Sequence, residues 1–302
     1  MVNDEYRECT LCPRNCRVNR FEEKGFCKSS SHIKVARASL HMWEEPCISG
    51  VKGSGTVFFG GCSLKCVYCQ NWDIASGEVG KEISEERLSD IFLELQEKGA
   101  HNINLVTPDH YLPSIREALI SGKKNGLNIP IIMNCSGYEK ASEIKKLDGL
   151  IDIFLTDFKY MEEDLAEKLS KARDYPHRAK EALEAMVSIT GNPRFDDNQM
   201  MTKGVLVRHL LLPGHKKNAK AVLSYLKETY GEKIIVSIMN QYTPFESPEN
   251  VEVPEEMKRK VTKREYENVV SYALSIGLHK AFIQEGDTAK ESFIPNFDFT
   301  GV

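Results

Sequence analysis

From position 56 onward the chain alternates two kinds of segment: short apolar runs with no polar interleaving, and longer stretches whose apolar residues recur at helical spacing. Residues 56–60, 102–106, 129–134, 151–156, 204–211, 234–238 and 281–284 are of the first kind and predict strands. Strands without alternation are those buried on both faces, as in a parallel sheet. Between them Leu88, Ile91, Phe92 and Leu95 fall at i, i+3, i+4 and i+7, as do Ala219, Val222, Leu223 and Leu226, which gives each stretch one apolar helical face. Ser84, with Glu85 and Glu86 behind it, opens the first of these helices, and Gly99 closes it. Further helices are predicted at 113–125, 139–147, 162–172, 177–189 and 262–275. Parallel strands joined by crossover helices make β/α units. Six or seven such units in about 230 residues fall one or two short of a closed eightfold barrel, which takes about 250. The expected fold is an α/β barrel that is incomplete or open.

A chain of 302 residues accommodates one large α/β domain and a small appendage. The division expected is a cysteine-rich segment over 1–50 and the barrel over 51–302. No apolar stretch approaches the ~18 residues of a membrane span, so a soluble protein with no membrane partner is expected. The opening MVNDEYRECT is acidic and polar, unlike the basic-then-apolar layout of a signal peptide, which predicts a cytoplasmic, reducing location where disulfides are disfavoured. A formal net charge of −4 offers no general attraction for nucleic acid. The densest basic stretch, Lys258 to Lys260 with Lys263 and Arg264, is interleaved with Glu255, Glu256 and Glu265 and reads as a solvated face.

The chemistry is concentrated in GGCSLKCVYCQNW, where Cys62, Cys66 and Cys69 follow directly on the apolar run at 56–59. Three buried apolar cysteines do not fit a segment of Gly, Ser, Lys, Gln and Asn that reads as a loop. An iron–sulfur cluster normally takes four thiolates. A C-x3-C-x2-C set with no fourth cysteine close behind leaves one iron free to bind a substrate. The segment resembles the cluster loop of the radical S-adenosylmethionine (SAM) superfamily, C-x3-C-x-aromatic-C, with Tyr68 as the aromatic. Within that superfamily the chain looks most like the branch of pyruvate formate-lyase activating enzyme, from about Val51 to about Glu285.

That resemblance implies a partial (β/α)6 barrel and a [4Fe–4S] cluster whose open iron holds the amino nitrogen and carboxylate of SAM. A one-electron reductant of flavodoxin or ferredoxin type would supply the electron that cleaves SAM to methionine and a 5′-deoxyadenosyl radical. It also carries site residues over. Asn134 and Ser136, in Asn134-Cys135-Ser136-Gly137-Tyr138, would hold polar atoms of SAM, with Cys135 a small buried residue between them. Asp157-Phe158-Lys159 matches the family's Asp-x-Lys, and the two-residue strand repeat lets Asp157 and Lys159 point together into the lumen, a surface salt bridge being the alternative. Arg208, ahead of an apolar run and Pro213-Gly214, matches the family's arginine and would take the SAM carboxylate bidentately, while His209 faces away as a packed histidine. Two departures stand out. Thr107-Pro108-Asp109 replaces the Gly-Gly-Glu that clamps the SAM amino group, leaving Thr107 and Asp109 as acceptors, and Thr243 stands where the activating enzymes carry a histidine.

Cys9, Cys12, Cys16 and Cys27 form a second set, C-x2-C-x3-C-x10-C, able to saturate a second metal, either a zinc ion or an electron-transfer or structural Fe–S cluster. Unligated thiols or two disulfides are the alternatives. As a metal site, this set is expected to be closed and independent of the radical chemistry. Cys47, beside Pro46, has no assignment. The function expected is hydrogen abstraction from a protein or peptide in the manner of a glycyl-radical activase. Radical modification of a small molecule is the nearest rival, and a non-catalytic Fe–S electron carrier is the rival from another class.

Overall fold

The computed structural model describes residues 4–244, 252–284 and 295–302; Glu285, where the family resemblance ends, lies outside that set. After a cysteine-rich, loop-built start come β1 (Ile33–His41), α1 (Pro46–Ser49), β2 (Ser54–Phe59), α2 (Trp72–Ala75) and β3 (Lys81–Ile83). The alternation expected from the sequence follows: α3 (Glu85–Glu97), β4 (Ile103–Val106), α4 (Leu112–Lys124), β5 (Ile131–Cys135), α5 (Ala141–Lys145) and β6 (Ile153–Asp157). Then come α6 (Glu163–Ser170), α7 (Tyr175–Thr190), β7 (Arg194–Phe195), β8 (Met201–Leu210), α8 (Lys216–Tyr230), β9 (Ile235–Met239), α9 (Lys263–Ser275) and β10 (Ala281–Ile283).

The sheet runs β10-β9-β8-β6-β5-β4-β2-β1-β3 and does not close on itself among the described residues. Every neighbouring pair from β2 to β10 is parallel. This is the partial barrel expected, extended at one edge by β1, antiparallel to β2, and β3, antiparallel to β1. The sequence reading placed no strand at β1, whose apolar positions alternate with Lys34, Arg37 and Ser39.

Strand side chains divide by parity. Ile131, Met133, Phe154, Val205 and Val207 face the helices in one large core. Ile132, Ile153, Leu155 and Leu206 face the lumen, where Cys47 and Ile48 of α1 close the floor. The loop between β1 and β2 thus turns into the barrel, and Cys47 acquires a place in that plug. α5 is shorter than its apolar pattern, because Glu139 turns back to accept from the Ser136 backbone N–H at 3.1 Å and the helix starts only at Ala141. α9 begins where the sequence set it, capped by a reciprocal Thr262–Glu265 box.

Candidate functional site

Two residues above the lumen floor each strand turns polar. Asn134, Asp157 and Arg208 stand two positions beyond Ile132, Leu155 and Leu206, so the strand repeat carries them onto the same inner face. Asp157 and Arg208 are direct cross-strand partners. Arg208 Nε donates to Asp157 Oδ1 at 3.0 Å and an Nη donates to Asn134 Oδ1 at 2.6 Å. Lys159 Nζ lies 2.6 Å from Asp157 Oδ2, so one carboxylate bridges two cations. Burial alone would raise the Asp157 pKa, but Lys159 and Arg208 outweigh it and hold the group below the ordinary carboxylate range. These residues line a cavity of about 440 Å³ that Gln70 and Asn71, next after Cys69, also border.

The cavity contains two residues that sequence reasoning missed. Glu44 accepts from Asn104 Nδ2 at 2.9 Å and pairs with Arg208 at 3.3 Å, while Glu45 beside it keeps one buried oxygen without a hydrogen-bond partner. Burial raises the pKa of both, partly offset by Arg208. Their only signal was an acidic pair before Pro46, which reads as a turn.

The cysteine loop leaves the carboxyl end of β2 and rests on the end of α6: Val67 N–H donates to Leu169 O at 2.9 Å. Cys62, Cys66 and Cys69 are all free thiols. Ser170 Oγ donates to Cys66 Sγ at 3.0 Å and Leu64 N–H to Cys62 Sγ at 3.4 Å. Tyr68 Oη meets Tyr160 Oη at 2.6 Å, and Tyr160 Oη meets Ser170 Oγ at 2.6 Å, so a chain of hydroxyls ends on the Cys66 sulfur. Neither Tyr160 nor Ser170 carried a sequence signal, since each meets the loop only through the fold. Burial, then Asp109, Cys66 and Cys69, push the Cys62 thiol far up; burial and Cys66 push Cys69 up to about 12.

Other expected residues fall on either side of this loop. Asp109 is 1% exposed, burial and then its charge raise the pKa of the Cys62 and Cys12 thiols, and neither of its oxygens has a hydrogen-bond partner, the His110 Nδ1 lying 3.8 Å away. Thr107, two residues before it, is in the left-handed region, φ 56°, that favours glycine. Ser136 Oγ turns to Glu139 at 3.3 Å, not to the cavity, and burial with Asp109 beside it pushes Glu139 up to about 8. Asn134, Asp157, Lys159 and Arg208 are therefore brought together in the lumen, whereas Tyr68, Thr107, Asp109 and Ser136 lie outside its lining. His209 is a packed histidine, Nδ1 2.7 Å from Phe158 O, its pKa lowered by burial to about 4, and Cys135 is buried.

These residues fit a cluster and SAM on two counts. Hydrogen bonds onto cysteine sulfur are what tune such clusters. A buried carboxylate without a hydrogen bond is costly unless a cation meets it, and Asp109, with the His110 ring nitrogen 3.8 Å away, can accept from an ammonium near Cys62. Among the described residues no group of three or more His, Cys, Asp or Glu is gathered for a single metal ion, and none of the described helices is long and apolar enough to cross a membrane.

Residues 56–225 match the family model of the radical SAM superfamily, and the chain belongs to that superfamily. An uncharacterized protein of Methanocaldococcus jannaschii is 29% identical over 280 residues, 89% of this chain and 75% of the relative. A radical SAM methyltransferase from Sphaerobacter thermophilus superposes with a TM-score of 0.51 at 15% identity, over 76% of this chain and 66% of that one. Streptococcus suis SuiB bound to S-adenosylmethionine gives 0.47 at 16% identity over 74% of this chain, which spans 48% of SuiB, about half its length. The family implies a [4Fe–4S] cluster and SAM.

Proposed function

We propose that Cys62, Cys66 and Cys69 ligate a [4Fe–4S] cluster, that SAM binds its open iron, and that the chain abstracts hydrogen from a protein or peptide, as a glycyl-radical activase does. The observation that carries the reading is the set of three thiols beyond the carboxyl end of β2, two of them accepting hydrogen bonds, near the buried carboxylate of Asp109, whose oxygens have no hydrogen-bond partner. When bound, the reduced cluster and SAM supply a 5′-deoxyadenosyl radical, with methionine as the other product of sulfonium cleavage. The residues of the chain do the positioning. Asp109 accepts hydrogen bonds from the SAM ammonium. Arg208, Asn134 and Asp157 brace one another, which fixes the guanidinium that recognises a carboxylate. Lys159 carries positive charge into the field of Cys66 and Cys69. Modification of a small molecule is the second reading, favoured by the 440 Å³ lumen that Glu44 and Glu45 narrow, a size suited to a small ligand. A cytoplasmic, reducing setting and a flavodoxin- or ferredoxin-type reductant belong to both readings.

Anaerobic reconstitution with iron, sulfide, dithionite and SAM, followed by assay of 5′-deoxyadenosine, tests the proposal. Cys66→Ala abolishes its formation together with the barrel cluster's absorbance. Lys159→Ala keeps the iron and lowers deoxyadenosine. Deoxyadenosine from the Cys66→Ala protein would refute the assignment.

A further inference from the structure

Cys9, Cys12, Cys16 and Cys27 take no part in that chemistry, yet the chain builds an enclosure around them. All four are free thiols, and Cys16 alone of the four is half-buried while the others are buried. A Cβ at Gly25 would make ordinary contact with Cys27 Sγ at 3.4 Å and Cys16 Sγ at 3.5 Å, so these two sulfurs face the same point of the loop. Asn15, Arg17 and Lys28, each next to one of these cysteines, have φ of 45°, 55° and 65°. Three left-handed non-glycine residues in so short a loop persist only where something over-determines its shape. Arg20, 1% exposed, lies over the rings of Tyr6 and Tyr111 at 4.7 and 5.4 Å and points Nη1 at Cys9 Sγ, 3.9 Å away. A buried guanidinium beside thiols is the counter-charge that a set of thiolates requires.

The enclosure is packed against the loop that carries the barrel cysteines. Cys62 N–H donates to the carbonyl of Cys27 at 3.3 Å, which ties one cysteine of each set together through the backbone. Arg14, between Cys12 and Cys16, donates to the carbonyls of Ser63 at 2.9 Å, Ser170 at 3.3 Å and Lys171. A Cβ on Gly61 would fall 2.2 Å from Ser29 Oγ and 2.7 Å from Cys27 O, so the two loops are packed to backbone contact.

We propose that Cys9, Cys12, Cys16 and Cys27 ligate a second iron–sulfur cluster that passes single electrons to the barrel cluster, an inference that rests on the barrel reading above. A cluster is favoured over a zinc ion because the enclosure meets the barrel cysteine loop in backbone contact, as transfer of an electron between the two requires. Full ligation leaves no open iron for SAM. One electron from a flavodoxin- or ferredoxin-class reductant reduces this cluster. It is reoxidised as the barrel cluster is reduced, and no atom or proton changes place.

The test is made on the full chain, reconstituted anaerobically. Mössbauer and EPR spectra of the unmutated protein are expected to contain two clusters, one of them altered by SAM, with spin–spin interaction between them when both are reduced. Cys12→Ser is expected to lose the iron of one cluster, keep the SAM-sensitive signal and lose the interaction. In that variant the ratio of deoxyadenosine formed with reduced flavodoxin to that formed with dithionite falls severalfold. Because this substitution can unfold the segment, the spectra of the unmutated chain decide. Iron in the amount of the barrel cluster alone, one zinc per chain, or two clusters without interaction would overturn the proposal. Loss of every SAM response with the N-terminal iron still bound would instead refute the barrel reading.

Discussion

Cys66 receives a hydroxyl hydrogen bond from Ser170, itself the end of a chain from Tyr68 and Tyr160, a contact that would bear on the potential of the cluster proposed there. A hydrogen bond to a ligating sulfur favours the more negative, reduced cluster and so raises its potential. Ser170→Ala is expected to leave the iron content unchanged and move the barrel cluster's potential to a more negative value in an EPR-monitored redox titration. An unchanged potential would mean that the hydroxyl does not reach the sulfur. Glu139 offers a different test. Its folded pKa is raised from 4.5 to about 8, so between those values the folded chain holds a proton that the unfolded chain has released. This group therefore takes stability away as pH rises from about 5 to about 8, and adds no further slope above that. Glu139→Gln keeps an acceptor for the Ser136 N–H but cannot ionise. Urea midpoints of the metal-free variant should fall less over that range than those of the parent, and parallel curves would show that Glu139 ionises normally. At this scale Asn134, Asp157 and Arg208 were legible through their resemblance to the family's strand-end motifs, the two-residue repeat adding that Asp157 and Lys159 point together. Glu44 and Ser170 were not, because each meets its partner across more than a hundred residues, at Arg208 and Cys66 respectively.

Elements meet at the carboxyl ends of β5 and β6 through one glycine. Gly137 has φ 80°, and a Cβ there would stand 2.2 Å from Asp157 O and 2.6 Å from Tyr175 Oη. The Tyr175 hydroxyl accepts from Lys159 N–H at 2.9 Å and donates to Ser136 O at 2.8 Å, so α7 clamps both strand ends at this point. Gly137→Ala must push backbone aside in a left-handed conformation, which costs about 1–3 kcal/mol for overpacking and more for the strain. Denaturant unfolding should register that loss, together with weaker SAM binding. A variant as stable as the parent would show that the strand ends can part freely. The strands of the parallel sheet were legible as unbroken apolar runs, since burial on both faces leaves no polar alternation to read. β1 was not, because Lys34, Arg37 and Ser39 interrupt it on the face that the core leaves partly open. Its place is decided by pairing with β2, a long-range contact that no local pattern records.

The whole molecule depends on how an open barrel fills its lumen. A closed barrel packs its interior with layers of strand side chains, but here a helical turn from the loop between β1 and β2 supplies part of the floor. Ile48 is fully buried against Ile132, Ile153, Leu155 and Leu206, in a core separate from the one beneath the helices. Four residues upstream, Glu44 meets Arg208, and the plug therefore fixes the wall of the cavity as well as its floor. Ile48→Ala removes buried methyl and methylene groups from a site ringed by strands that cannot collapse inward, so a loss of about 2–5 kcal/mol is expected. The midpoint of denaturant unfolding should fall with its slope unchanged, the signature of a packing loss in the native state. The same variant should bind SAM less tightly, because the Glu44–Arg208 pair loses its anchor. A loss below about 1 kcal/mol, outside the range for a buried isoleucine, would mean that the turn at 46–49 rests on the lumen without packing into it.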